Sequence, residues 1–160
     1  MEIYRVAFIG HRKIEVFREL EERIEQIACR LIQEKEFVEF CVGRNGDFDI
    51  LAASAIKRAQ GKQGNHNSSL ILFQPYPMKD DGYYRAYYDE VCYPVENAVH
   101  PKAAITKRNQ WMIDHAHLVV AFVENGSVGG AFAALKYAQR CGVAVLNLAA
   151  KNDQKNIMLG

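Results

Sequence analysis

The sequence predicts an α/β fold, doubly wound, with a mostly parallel five-stranded sheet flanked by helices. Three observations predict it. The β-rich apolar runs are short and nearly continuous rather than alternating, as strands covered on both faces must be. Segments whose apolar residues recur at helical spacing separate those runs. The resulting strand and helix alternation begins and ends on a strand, the order produced by right-handed crossovers between parallel neighbours. The architecture is Rossmann-like, and 160 residues fit one domain spanning 1–160 at roughly 150 residues per domain.

The first strand is Tyr4 to Ile9. A helix from about Ile14 to Lys35 follows, because Val16, Leu20, Ile24, Ile27 and Leu31 recur at spacings of three and four while Glu19, Glu21, Glu22, Arg23 and Glu25 take the other face. Phe37 to Val42 is the second strand. The second helix, about Phe48 to Lys62, carries Leu51, Ala52, Ala55, Ile56 and Ala59, with Asp47 or Asp49 as its N-cap. Leu70 to Phe73 is the third strand. The stretch 61–101, rich in Gly, Asn, Pro and Tyr, breaks the rhythm and reads as an irregular insertion, a feature that is usually functional or mobile. A third helix from about Ala103 to His115, a fourth strand from Leu118 to Val123, and an alanine-rich helix from Gly130 to Arg140 that stops at Gly142 lead to the last strand, Ala144 to Leu148.

Composition narrows the function classes. Twenty Lys and Arg against 19 Asp and Glu leave a net charge of +1, so no global field draws in nucleic acid or membrane. No apolar run approaches the ~18 residues of a membrane span, and the start, Met1 to Arg5, shows no signal-peptide pattern; a cytoplasmic protein is expected. Cys29, Cys41, Cys92 and Cys141 form no CxxC pair, and three of them fall on buried faces, which suits reduced core thiols. The histidines miss zinc spacings, His115 and His117 included, so neither a metal nor a cofactor is expected.

Ligands of open α/β sheets bind beyond the carboxyl ends of the strands. The first strand ends in Gly10, His11, Arg12 and Lys13, where a glycine before a helix start lets amides approach an anion and Arg12 adds a forked donor; a tight turn with solvated charges is the alternative. The second ends in Gly43, Arg44, Asn45, Gly46, Asp47, Phe48 and Asp49, which places Arg44 or Asp49 toward the same crevice as Arg12. Asp49 suits a ribose hydroxyl or a plain helix cap. The loop is not GxGxxG, which argues against a standard dinucleotide site. The fourth ends in Glu124, Asn125, Gly126, Ser127, Val128, Gly129 and Gly130, paired glycines that suit a phosphate at a helix start, beside the small residues Ala131, Ala133 and Ala134. On the third helix Arg108 and Asn109 share a stripe with Ile105 and Met112. Buried polar groups need partners, so the pair either ties down neighbouring loops or reaches a ligand. Tyr83, Tyr84, Tyr87, Tyr88 and Tyr93 suit stacking on a base or packing of a long loop.

These segments carry a resemblance. Gly10 to Arg12, Gly43 to Asp49, Tyr87 to Pro94, Ala104 to Met112, and Gly129 to Phe132 with Lys136 to Ala138 resemble, in order along nearly the whole chain, the YspA/YpsA-like branch of the SLOG superfamily, which also includes the DNA-processing protein A (Smf) and "lonely guy" families. The resemblance implies a bacterial Rossmann-like domain that binds a nucleotide or nucleotide-derived ligand. Arg108 and Asn109 resemble the Arg-Asn motif of the DNA-processing relatives, and Gly129 and Gly130 the SLOG glycine turn. The phosphoribohydrolase relatives carry PGGxGTxxE, and the alignment of the glycine turn puts Ala133 and Ala134 where their catalytic glutamate stands. Alanine can neither attack nor stabilise an oxocarbenium-like centre.

The expectation is therefore a binding protein for a nucleotide-like small molecule, a sensor or regulator with no catalytic residue and a possible homodimer. The alternatives are a nucleotide N-glycosidase or other hydrolase using Asp49, Asp114 or Glu124, and a nucleic-acid binder, against which the charge balance argues.

Overall fold

A computed structural model describes residues 1–96 and 100–150. In chain order the elements are β1 (Ile3–Gly10), α1 (Phe17–Glu34), β2 (Phe37–Val42), α2 (Asp47–Gln63), β3 (Ser68–Phe73), α3 (Gly82–Tyr87), β4 (Glu90–Cys92), α4 (Pro101–Asp114), β5 (Leu118–Phe122), α5 (Gly130–Cys141) and β6 (Ala144–Asn147). All strand pairs are parallel, in the order β4-β3-β2-β1-β5-β6.

Side chains alternate across each strand, and the two faces of the sheet collect different helices. Val6 and Phe8 of β1 join Phe40, Leu70, Leu72 and Val120 beneath α1 and α2, whose Ile24, Leu31, Phe48 and Ile56 are fully buried. Ala7 and Ile9 join Cys41, Ile71, Val119 and Ala121 beneath α4 and α5, which contribute Met112, Ile113, Ala134 and Ala138. The chain thus leaves β1 toward β2 on one face and returns to β5 on the other. That reversal opens a crevice at the carboxyl ends of β1 and its two neighbours.

The sheet has six strands rather than the five expected. The additional strand, β4, lies in the segment read as irregular. At three residues it has no periodicity to read, and its docking depends on Asp89, whose Oδ2 accepts from the Leu70 amide at 2.7 Å and from Gln60 Nε2 at 3.0 Å. The six-residue α3 is tied in by Asp81, which accepts from Arg85 and from the Tyr93 hydroxyl, each at 2.8 Å.

Helix α1 begins at Phe17, three residues later than expected, because Ile14 is buried in the preceding loop and its amide donates to Asp47 Oδ2 at 3.1 Å. Asp47 therefore caps nothing on its own helix. Asp49 accepts from the Asn45 amide at 3.0 Å, and the N-cap of α2 is Gly46, with no side-chain bond. Of the cysteines only Cys41 is fully buried; Cys29 and Cys92 are half-buried and Cys141 is exposed.

Candidate functional site

The crevice holds a cavity of about 510 Å³, within the usual range for small-molecule sites. Its floor is the end of β1 through Gly10, His11 and Arg12. One wall is the β2–α2 loop with Gly43, Asn45, Gly46 and Asp49, and the opposite wall is the start of α5 with Val128, Gly129, Gly130 and Ala131. Helix α4 lies across them, presenting Lys102, Thr106, Arg108 and Asn109. Ten of the thirteen residues expected from sequence meet here. Arg44, Gly126 and Ser127 do not.

The three glycine-bearing loops do different work. A Cβ on Gly10 would sit 2.3 Å from the Phe48 ring, and one on Gly46 would sit 2.5 Å from Arg12 Cα. A Cβ on Gly43 would sit 2.6 Å from the Arg108 guanidinium. These glycines admit neighbouring protein atoms. No helix starts after Gly10, contrary to the sequence reading, because α1 begins only at Phe17. The first amides of α2 are also occupied: Asp47 donates to the Arg12 carbonyl at 2.8 Å and Phe48 to that of His11 at 3.3 Å. His11 in turn staples β1 to the β5–α5 turn, since its Nε2 accepts from the Glu124 amide at 2.8 Å.

The β5–α5 turn is different. Nothing lies within 4 Å of a Cβ built on Gly129 or Gly130, and Gly129 has φ +115°, a conformation open essentially to glycine alone. Among the described residues the amides of Gly130, Ala131 and Phe132 have no acceptor; the helical ladder begins with the Ala133 amide on Gly129 O, at 3.0 Å. Three donors and the positive end of α5 are thus directed at the cavity wall. Asn147 holds the strand end beneath the turn, with Oδ1 accepting from the Val123 amide and Nδ2 donating to the Val123 carbonyl. Ser127 folds back, its hydroxyl donating to Glu124 O at 2.6 Å, and Gly126 supplies the left-handed bend before it.

Arg108 is 2% exposed, and each of its nitrogens is engaged. NH1 donates to the Phe73 carbonyl at 2.7 Å, NH2 to Asn45 Oδ1 at 2.8 Å and Nε to Asn109 Oδ1 at 2.9 Å. The residue thereby ties the end of β3 and the β2–α2 loop to α4. Burial pulls its guanidinium pKa down, and the Asp49 charge opposes that. Burial likewise pushes the Asp49 carboxyl up, with Arg108 and the Asn45 amide pulling the other way. Arg12, Lys102 and Arg108 face this one carboxylate in the cavity, a balance that favours an anionic guest.

Arg44 was expected beside Arg12, yet it lies 5.0 Å from the Tyr84 ring centre. The two adjacent side chains diverge, so Asn45 meets Arg108 while Arg44 faces α3. There it borders a smaller hollow of about 200 Å³ with Tyr83, Tyr87 and Tyr88, and none of the five insertion tyrosines lines the main cavity. Of the carboxylates considered for catalysis, Asp49 lines the cavity; Asp114 accepts from the Tyr137 hydroxyl at 2.6 Å elsewhere, and Glu124 is exposed on the turn. Lys102, Thr106 and Asn45 escaped the sequence reading. Asn45 had a signal, since it stands inside the glycine loop already singled out; Lys102 and Thr106 sit one turn apart on α4 and had none.

No family model matches the chain, and no curated protein matches it in sequence. Among solved structures it is similar to DNA processing protein A (DprA) from Streptococcus pneumoniae, with 17% identity, a TM-score of 0.62, and coverage of 89% of this chain. The chain spans 49% of the length of that protein. It is also similar to the molybdenum cofactor carrier protein of Chlamydomonas reinhardtii, at 13% identity, a TM-score of 0.59, and coverage of 96% of this chain and 81% of that one. For TM1055 the values are 14%, 0.59, 95% and 79%. At these identities the likeness establishes the fold alone, a Rossmann-like α/β fold with a parallel sheet flanked by helices, as the sequence predicted.

Proposed function

We propose that the chain binds a phosphorylated nucleoside in the cavity at the end of β1 and serves as a sensor or regulator. One observation carries the reading: the unpartnered amides at the start of α5 share a crevice of about 510 Å³ with Arg12, Lys102 and Arg108. Backbone donors and a helix start suit a phosphate, and the remaining volume suits a sugar and base. The similarity to a cofactor carrier protein is compatible with small-molecule binding.

A nucleotide panel followed by thermal denaturation tests this. A ligand at 100 times its Kd adds ~2.7 kcal/mol, which for a chain of this size raises Tm by roughly 5 to 10 °C. Arg12 is exposed, so Arg12→Ala should weaken binding without loss of stability. A panel with no shift beyond scatter counts against the reading.

Similarity to a DNA processing protein supports nucleic-acid binding as a second reading. Affinity for a phosphate backbone falls steeply with salt in proportion to the number of cationic contacts, so titration of single-stranded DNA across ionic strengths separates it from single-nucleotide binding. Asp49 keeps N-glycoside hydrolysis testable: chromatography of nucleoside monophosphates after incubation would reveal free base.

A further inference from the structure

The two sides of the cavity differ in chemistry. At the α5 side the amides of Gly130, Ala131 and Phe132 are consecutive donors without a partner among the described residues. At the β2–α2 side stands Asp49, the one carboxylate among the described residues lining the cavity. Its Oδ2 takes the Asn45 amide, and its Oδ1 has no partner among the described residues. A carboxylate repels an anion; Asp49 offsets the buried Arg108 charge, and its Oδ1 is an acceptor that a donor on the ligand can meet.

Arg108 fixes what stands beside it. A guanidinium has no acceptor, so the atoms that Asn45 and Asn109 turn toward it must be their oxygens. Both amide nitrogens are thereby directed elsewhere, without a partner among the described residues, and both residues line the cavity. This side therefore offers a carboxylate acceptor and amide donors together. A phosphate only accepts, and an amino group only donates. A hydroxyl does both, and a vicinal pair of hydroxyls fits an acceptor flanked by donors.

Spacing separates the two poles. Strands β2 and β5 lie on either side of β1, two strand spacings or about 10 Å apart. One group cannot touch both, so anion and diol are different parts of one ligand.

We infer that Asp49, with the side-chain amides of Asn45 and Asn109, holds the ribose diol of a ribonucleoside phosphate whose phosphate lies at the start of α5. This rests on the nucleotide-binding reading above and adds the orientation of the ligand and a preference for ribose over deoxyribose.

Calorimetric titration of the wild-type chain and of Asp49→Asn with the four ribonucleoside 5′-monophosphates and their 2′-deoxy counterparts tests it. The loss of a hydrogen bond to a charged group should weaken the deoxy form of the preferred nucleotide by about 10- to 100-fold. Asp49→Asn should weaken the ribo form and shrink the difference, while the deoxy form, which keeps only the 3′-hydroxyl, changes less. Equal ribo and deoxy affinities in the wild type overturn the diol assignment and leave the cavity reading standing. A preference that survives intact in Asp49→Asn overturns the role of Asp49. If no nucleotide binds, both readings fall. Should Asp49→Asn fail to fold, the wild-type comparison and Asn109→Ala, expected to narrow the same preference, still decide.

Discussion

Replacement of Arg108 by lysine separates geometry from charge at the centre of the site. The guanidinium makes three hydrogen bonds of 2.7 to 2.9 Å, to Phe73 O, Asn45 Oδ1 and Asn109 Oδ1. An ammonium on a thinner stem keeps the positive charge opposite Asp49 but reaches one of these acceptors, leaving two without their donor in a region where Arg108 was 2% exposed. At about 1 to 3 kcal/mol for each buried group left unsatisfied, less what water entering from the cavity restores, the ligand-free protein should lose about 2 to 4 kcal/mol. Such a loss lowers Tm by about 5 to 15 °C for a chain of this length. Urea denaturation of both apo proteins measures it, with equal m-values confirming that the same surface unfolds. If Arg108→Lys stays within ~0.5 kcal/mol of wild type, the tie between β3, the β2–α2 loop and α4 is not structural. Arg108 would then be held in place for a ligand alone.

The glycines should divide along the same lines. Gly10→Ala drives a methyl into the Phe48 ring and should cost about 1 to 3 kcal/mol by overpacking, whereas Gly130→Ala meets nothing within 4 Å and should be neutral or stabilise by up to ~1 kcal/mol, both read from urea midpoints. Gly129→Ala, at φ +115°, should cost about 1 to 3 kcal/mol from backbone strain despite its open surroundings. Lys62, and then Arg58, hold the Glu25 carboxyl below its ordinary value. Its stabilisation is therefore present above the unfolded carboxylate value and lost as pH falls through the folded one, so stability measured from about pH 7 down to about pH 3 should fall less steeply in Glu25→Gln. Ala131→Asp places a carboxylate beside the free α5 amides. It should raise apo stability by about 0.3 to 1 kcal/mol through the helix dipole while abolishing nucleotide binding in the thermal-shift panel.

Much of this was legible because the chemistry that reveals it is local. The strand positions of Val6 to Ile9 or Val119 to Ala121 announce themselves through unbroken apolar runs, and Arg108 and Asn109 stood out through their helical spacing from Ile105 and Met112. Strand β4 was illegible because what holds it is long-range: Asp89 reaches Leu70 and Gln60, 19 and 29 residues away. Arg44 was misplaced for a different reason. Arg44 and Asn45 point to different sides of their loop, and sequence alone does not say which of them turns inward. The N-cap assignment of Asp47 failed because a partner 33 residues away, the Ile14 amide, competes for the same oxygen.

Glycine is the most instructive ambiguity, because a turn that admits a phosphate and a turn that admits a phenyl ring look alike in sequence. The neighbours decide. Gly10, Gly43 and Gly46 are filled by Phe48, Arg108 and Arg12, and the His11, Asn45, Asp47 and Phe48 amides of the β1 and β2 loops already have partners. Gly129 and Gly130 face open space, and the amides that follow have none. An anion gains consecutive unpartnered amides and a helix start at the α5 wall, whereas at the β2–α2 wall it would compete for the Asp47 and Phe48 amides and meet the Asp49 carboxylate. On the nucleotide-binding reading proposed above, this asymmetry orients the ligand: charge against α5, and the uncharged part toward the wall where Asp49 keeps an oxygen without a partner among the described residues.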